Sequence, residues 1–233
     1  MKILDNRVEV WRVRLDPEQT SIRDLEMLLS SDELERATRF YFEKDRARFT
    51  ITRGSLRRIL GTYLDCDPVG IRFSHNEFGK PQLATPLRTE LRFNLSHTDG
   101  LAIIGISSGR ELGVDVERVR HDAGFLEVAE SFFSPTEFSN LLALSPEAQP
   151  RAFLHCWVSK EAYLKARGTG LSIPLDSFDV SMDPDAPAAL LKSIPPADVS
   201  NWRLETVSLG TDYVGAIAAL NDGWSLSLWD WSL

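Results

Sequence analysis

The chain of 233 residues is predicted to adopt an α+β fold, on three observations. Short segments that alternate apolar and polar residues are interleaved with longer ones of helical period. A strand-rich stretch over residues 91–117 lies between helix-rich ones. A faint internal repeat sets Arg92 with Thr98 and Asp99 ahead of one apolar strand, and Arg203 with Thr211 and Asp212 ahead of another. Either two hairpins share turn residues by chance, or the chain consists of two similar α+β halves related by a pseudo-twofold axis, with a site in the cleft between them.

Residues 8–15 alternate as a strand that ends at Asp16-Pro17. Residues 22–29 and 32–42 read as two short helices, and 45–64 as a longer amphipathic one. Ser31-Asp32-Glu33 places acidic groups at the positive end of the second helix. Residues 71–74 form a short strand, and the turn that follows, Asn76 to Pro81, combines Gly79 for backbone freedom with the charge of Lys80, where a phosphate can sit. Residues 91–96 and 101–107 are strands joined by the turn Thr98-Asp99-Gly100. Ser108-Gly109-Arg110 is the next break, near the middle of the chain, and divides it into residues 1–110 and 111–233. Beyond it come a strand at 112–117 and a helix from the capping-box spacing Ser134/Glu137 to about residue 144. A helix over 151–167 is closed by Gly168, residues 172–180 and 202–209 are extended, and 212–220 is an apolar strand. Residues 182–200, rich in Pro, Ala and Asp, read as a loop or short helix.

Hydrophobic residues at 43% and charged residues at 26% describe an ordinary soluble globular chain. The longest apolar run, 101–106, is far too short for a membrane span, and residues 1–5 lack the apolar core of a signal peptide, so a cytoplasmic protein without membrane attachment is expected. Cys66 and Cys156 are too few for a disulfide framework or a zinc site and are expected to be buried free thiols. A net charge of −8 argues against general nucleic-acid binding. The run Arg36, Arg39, Lys44, Arg46, Arg48, Arg53, Arg57 and Arg58 is nevertheless basic, and serves either a local anionic ligand or a solvated helix face.

The chemistry-bearing residues are three carboxylates in two places. Asp115 and Glu117, two apart on a strand, point to the same face. They are either the solvent face of an edge strand or two hard oxygen ligands, and Gly113 before them permits close backbone approach. Glu161 lies on the 151–167 helix, four residues before Lys165 in the order of a surface salt bridge. Yet Lys160 and Glu161 fall within or beside the arc of Phe153, Trp157 and Leu164, where charges need partners. With Glu161 opposite Asp115 and Glu117, the three would suit Mg²⁺ on a phosphate-bearing ligand. His75, His121 and His155 show no metal-ligand spacing, and there is no Ser-His-Asp signature, Walker loop or dinucleotide fingerprint.

Gly79-Lys80-Pro81, Phe93-Asn94-Leu95-Ser96-His97, Gly113-Val114-Asp115-Val116-Glu117, Phe132-Phe133-Ser134 with Glu137, and Trp157-x-x-Lys160-Glu161-Ala162-x-x-Lys165 with Gly168-x-Gly170-Leu171 together resemble the 4′-phosphopantetheinyl transferases of the large, surfactin-synthetase-type class. The resemblance implies a pseudo-twofold pair of α+β halves and transfer of phosphopantetheine from coenzyme A to a serine of an acyl, peptidyl or aryl carrier protein, releasing 3′,5′-ADP. It implies that Asp115, Glu117 and Glu161 hold Mg²⁺, with Mn²⁺ as a substitute, and that Glu161 takes the serine proton directly or through water. It further implies that Lys165 and Lys160 offset charge on the leaving phosphate. Arg36, Arg48, Lys80, Pro81, Ser96 and His97 match positions on the adenosine side of coenzyme A. A monomer serving fatty-acid, polyketide or nonribosomal-peptide synthesis is expected. Glu33 stands where some relatives carry a basic residue, and Thr98-Asp99-Gly100-Leu101 replaces a common Ser-Gly-x-Trp pattern. Residues 125–133 are a candidate docking surface for the carrier. A metal-dependent phosphohydrolase and a non-catalytic coenzyme A-binding or carrier-binding module are the competing classes.

Overall fold

A computed structural model describes residues 6–16, 21–84, 90–120, 124–193 and 198–232. The expectations at residues 1–5, Pro17, His121 and 194–197 lie outside these.

The elements in order are β1 (Arg7–Arg14), α1 (Ile22–Glu26), α2 (Ser31–Thr38), α3 (Glu43–Leu64), β2 (Phe73–His75), β3 (Pro81–Leu83), β4 (Leu91–Thr98), β5 (Leu101–Ser108) and β6 (Leu112–Arg118). There follow α4 (Phe125–Phe132), α5 (Pro135–Leu142), α6 (Gln149–Arg167), β7 (Asp179–Val180), β8 (Leu190–Lys192), α7 (Asp198–Asn201), β9 (Trp202–Val207), β10 (Tyr213–Leu220) and β11 (Ser225–Trp231). The α+β class holds.

Two sheets carry the architecture. One runs β11-β1-β5-β4 and the other β6-β10-β9. Strand alternation assigns each face. Ala102, Ile104 and Ile106 of β5 pack with Ile51, Leu56, Ile59 and Leu60 of α3, whereas Leu101 and Ile103 meet Val114, Val116 and Ile217 of the second sheet. On the far side of that sheet, Val214, Ala216 and Ala218 of β10 pack with Phe153, Val158 and Ala162 of α6. The layers are therefore helix, sheet, sheet, helix. β5 is buried on both faces, which accounts for its unbroken apolar run.

Several expectations change. β11 was not anticipated, and it pairs in parallel with β1, so strand pairing crosses the division expected after residue 110. β3 and α4 were also missed. The extended chain expected over residues 172–180 is interrupted by the end of one 3₁₀ turn, Gly170–Ser172, and by a second, Leu175–Ser177, before β7. Cys66 is exposed, and Cys156 alone is buried. Phe133 is buried and stacks on Phe153, which also meets Phe125, so most of the aromatic cluster proposed for docking is core; only Phe132 stands exposed, edge-on to Trp157. Among the described residues, no helix is long and apolar enough to cross a membrane.

Candidate functional site

The approach of α6 to β6 builds the site. A Cβ on Gly113 would lie 2.2 Å from both the carbonyl oxygen of Ala162 and the amide nitrogen of Ala166, so only glycine lets the helix backbone seat directly on the strand. The α6 residues on either side of this contact, Glu161 and Lys165, are thereby held over Asp115. Gly168, with φ of 67°, ends the helix, and its amide donates to Leu164 O.

From the other side, β4 reaches β6 through three alternate side chains. Asn94 Oδ1 accepts from the Val114 amide at 2.9 Å. Ser96 Oγ donates to Asp115 Oδ1 at 2.7 Å, and Thr98 Oγ1 to Glu117 Oε2 at 3.0 Å. Asn94 and Thr98 stand in the quoted motifs but were given no site role from the sequence; their shared face with Ser96 is the signal that could have assigned one.

Lys165 Nζ lies 2.6 Å from Asp115 Oδ1 and 3.1 Å from Ser96 Oγ. Asp115 Oδ2 is buried without a hydrogen-bond partner among the described residues. Burial, together with the neighbouring Asp115 charge, pushes the carboxyls of Glu117 and Glu161 above the ordinary value. Three carboxylates thus crowd one place with Lys165 as the shared cation. Among the described residues no group of His, Cys, Asp and Glu is arranged to hold a metal ion as it stands. The donor set nevertheless suits a hard divalent cation: all ligating atoms are oxygen, one is orphaned, and Lys165 alone offsets the three like charges.

Although exposed, His97 is held below its ordinary value by partial desolvation of its ring and by the charges of Lys165, Arg36 and Arg48. These four positive or titratable groups therefore gather at one end of the site. Arg36 lies over the ring of Phe49, and Arg48 pairs with Asp99 at 2.5 Å. Lys80 Nζ bonds Glu111 Oε2 at 2.8 Å and the carbonyls of Leu112 and Ala166, which docks the β2–β3 turn on the end of α6. Asn76 strengthens that docking by donating to Gly168 O at 2.7 Å. A cleft of about 290 Å³ opens among Phe78, Lys80, Pro81, Leu95, Glu161 and Lys165.

Of the residues expected here, Glu117, His97, Arg36 and Arg48 do not line this cleft, whereas Lys80, Pro81, Glu161 and Lys165 do, and Asp115 and Ser96 are joined to it through Lys165. Lys160 does not line it either. Its side chain is fully buried on another face of α6, where Nζ meets Glu137 Oε2 at 2.8 Å and donates to Leu175 O and Phe178 O. Its role in offsetting phosphate charge is corrected to a structural one, because all its donors are spent in the core. Glu33 is likewise structural: it is buried, completes the α2 capping box with Ser30, and accepts from Arg53 and Arg57. The basic run is accordingly divided, with Arg53 and Arg57 turned inward and Arg36 and Arg48 toward the site.

Two family models match the chain: "4′-phosphopantetheinyl transferase superfamily" over residues 111–218 and "4′-phosphopantetheinyl transferase, N-terminal" over residues 13–108. The chain is 37% identical over 230 residues to the 4′-phosphopantetheinyl transferase HetI of Nostoc sp., covering 98% of this chain and 94% of that one. It is 35% identical over 162 residues to the 4′-phosphopantetheinyl transferase Sfp of Bacillus subtilis, covering 70% of each. Among solved structures, a Chronobacterium ammoniagenes ACPS–CoA complex matches with 22% identity and a TM-score of 0.36, covering 48% of this chain and 96% of that chain. At that score the structural likeness carries no weight beside the sequence match.

Proposed function

This chain belongs to the 4′-phosphopantetheinyl transferase family, and from that premise we propose that it transfers the 4′-phosphopantetheine group of coenzyme A to a serine of an apo-acyl or apo-peptidyl carrier protein, releasing 3′,5′-ADP. The observation that carries the proposal is the convergence of Asp115 and Glu117 on β6 with Glu161 on α6, beside Lys165 and the His97, Arg36 and Arg48 group. A triple-carboxylate site next to a cationic one suits a pyrophosphate that bears a further phosphate.

Asp115, Glu117 and Glu161 would hold Mg²⁺, or Mn²⁺ in its place. When bound, that cation neutralises the pyrophosphate and polarises its phosphorus. The carrier serine oxygen attacks the β-phosphorus; the new P–O bond forms as the bond to the 3′,5′-ADP oxygen breaks. Glu161 takes the serine proton, directly or through water. Lys165 offsets the charge gathering on the departing phosphate. Arg36, Arg48 and His97 hold the 3′-phosphate, and Lys80 with Pro81 walls the adenosine end. The two helix-on-sheet layers are proposed to be the pseudo-twofold halves of the family, acting as a monomer.

The test is to incubate the protein with coenzyme A, Mg²⁺ and several apo-carrier proteins and to weigh each carrier by mass spectrometry. The expected result is one added phosphopantetheine per carrier. Hydrolysis of coenzyme A without a mass gain, or binding without turnover, overturns the proposal in favour of a hydrolase or a binding module.

A further inference from the structure

Asp99 sits at the tip of the β4–β5 hairpin, followed by Gly100 with φ of 85°, and its carbonyl accepts from the Tyr213 hydroxyl at 3.1 Å. The turn is therefore fixed, and so is the carboxylate it presents. Asp99 Oδ1 lies 2.5 Å from an Arg48 nitrogen, and Oδ2 lies 2.7 Å from an Arg118 nitrogen. One carboxylate is thus shared by two guanidinium groups, one on α3 in the layer of the first sheet and one at the end of β6 in the second. Of the two, only Arg48 reaches the His97 ring with its charge. Arg118 is more exposed than Arg48.

We propose that Asp99 is a built-in counter-ion for Arg48, that Arg118 sets how strongly it holds Arg48, and that a phosphate monoester dianion on the ligand takes Arg48 from it. This rests on the reading above that coenzyme A binds here with its 3′-phosphate at Arg48. Asp99 is then a specificity-determining residue. Without a dianion Arg48 stays neutralised by Asp99, and with one the carboxylate retires onto Arg118. The charge borne by the ligand is weighed against an internal anion, which lowers affinity for ligands that carry the phosphate and so sets, by narrowing it, the difference between those with and without it.

The arrangement makes a prediction of opposite signs that a purely structural clasp does not. Asp99→Asn frees Arg48 and should tighten coenzyme A binding about 2- to 5-fold, the range of a partly exposed ion pair. Arg118→Gln leaves the whole Asp99 charge to Arg48 and should weaken coenzyme A binding about 2-fold. Dephospho-coenzyme A, which lacks the 3′-phosphate, should change less than the full ligand in both variants. Dissociation constants for both ligands are measured by calorimetry on the intact protein, with Arg48→Ala alongside. Changes of the same sign in the two variants, no change in either, or equal changes for the two ligands overturn the inference while Arg48→Ala still selectively weakens coenzyme A. If Arg48→Ala weakens both ligands alike, the placement of the 3′-phosphate fails, and the inference with it.

Discussion

Lys160 and Lys165 lie five positions apart on α6 and have opposite fates. Lys160 is sealed: its ammonium meets Glu137, Leu175 O and Phe178 O, and Glu137 in turn accepts from the Ser134 and Val180 amides. Every strong donor and acceptor of that network is used, and the network pins α5, α6 and the start of β7 together. Lys165 is partly exposed and shared among three carboxylates, one of which keeps an orphaned oxygen while the other two bind protons more readily than usual. A completed buried network holds a fold, whereas an incomplete one is a receptor for the charge it lacks.

The comparison can be broken in three ways. Lys160→Met removes the cation from a buried carboxylate and should cost about 3–5 kcal/mol, the usual penalty for halving a buried pair, read by denaturant unfolding. The folded fraction should keep a near-normal turnover number. Full stability with lost turnover would make Lys160 catalytic and reverse the comparison.

Glu161→Gln should lower transfer by about 10²-fold or more, followed by carrier mass, with no loss of stability. The sign follows from the raised carboxyl: folding favours its protonated form, so the metal-free protein loses stability as pH rises from the ordinary carboxylate value of 4.5 through the higher folded one. The Gln variant should lose part of that slope in thermal melts recorded across this window, and should melt no lower than the parent at neutral pH. A steeper slope would show that Glu161 is stabilised by its neighbours rather than strained by them.

Gly113→Ala should destabilise the fold by about 3 kcal/mol of overpacking or more, because its Cβ meets helix backbone that cannot rotate aside. It should also lower transfer by moving Glu161 and Lys165 away from Asp115. Stability lost without any change in transfer would detach the helix seat from the site.

The local patterns were legible where one residue type forces one geometry. The Ser134/Glu137 capping box and the Gly168 helix end formed as the sequence requires, with both reciprocal cap bonds present. The two-apart spacing of Asp115 and Glu117 turned both from the apolar face of β6, and Gly113 marked the close approach. Illegible were the features that depend on distant partners. β11 alternates too weakly to announce itself and is ordered by pairing with β1, more than two hundred positions away. Lys160 shares its helix face with apolar neighbours, but periodicity does not say whether an inward lysine faces a ligand or a buried glutamate.

The sequence by itself determined the α+β class, the carboxylate triad as a set of hard oxygen donors, the basic run and the family, because these rest on residue identity and short-range spacing. Only the tertiary structure decided which charges remain for a ligand. Packing α6 on β6 and α3 on β5 consumed Lys160, Arg53 and Arg57 in internal pairs, and left Lys165 at the cleft and the charges of Arg36 and Arg48 acting on His97. The reason is physical: a charge is silenced or made available by whatever folds against it, and that partner lies far away in the chain.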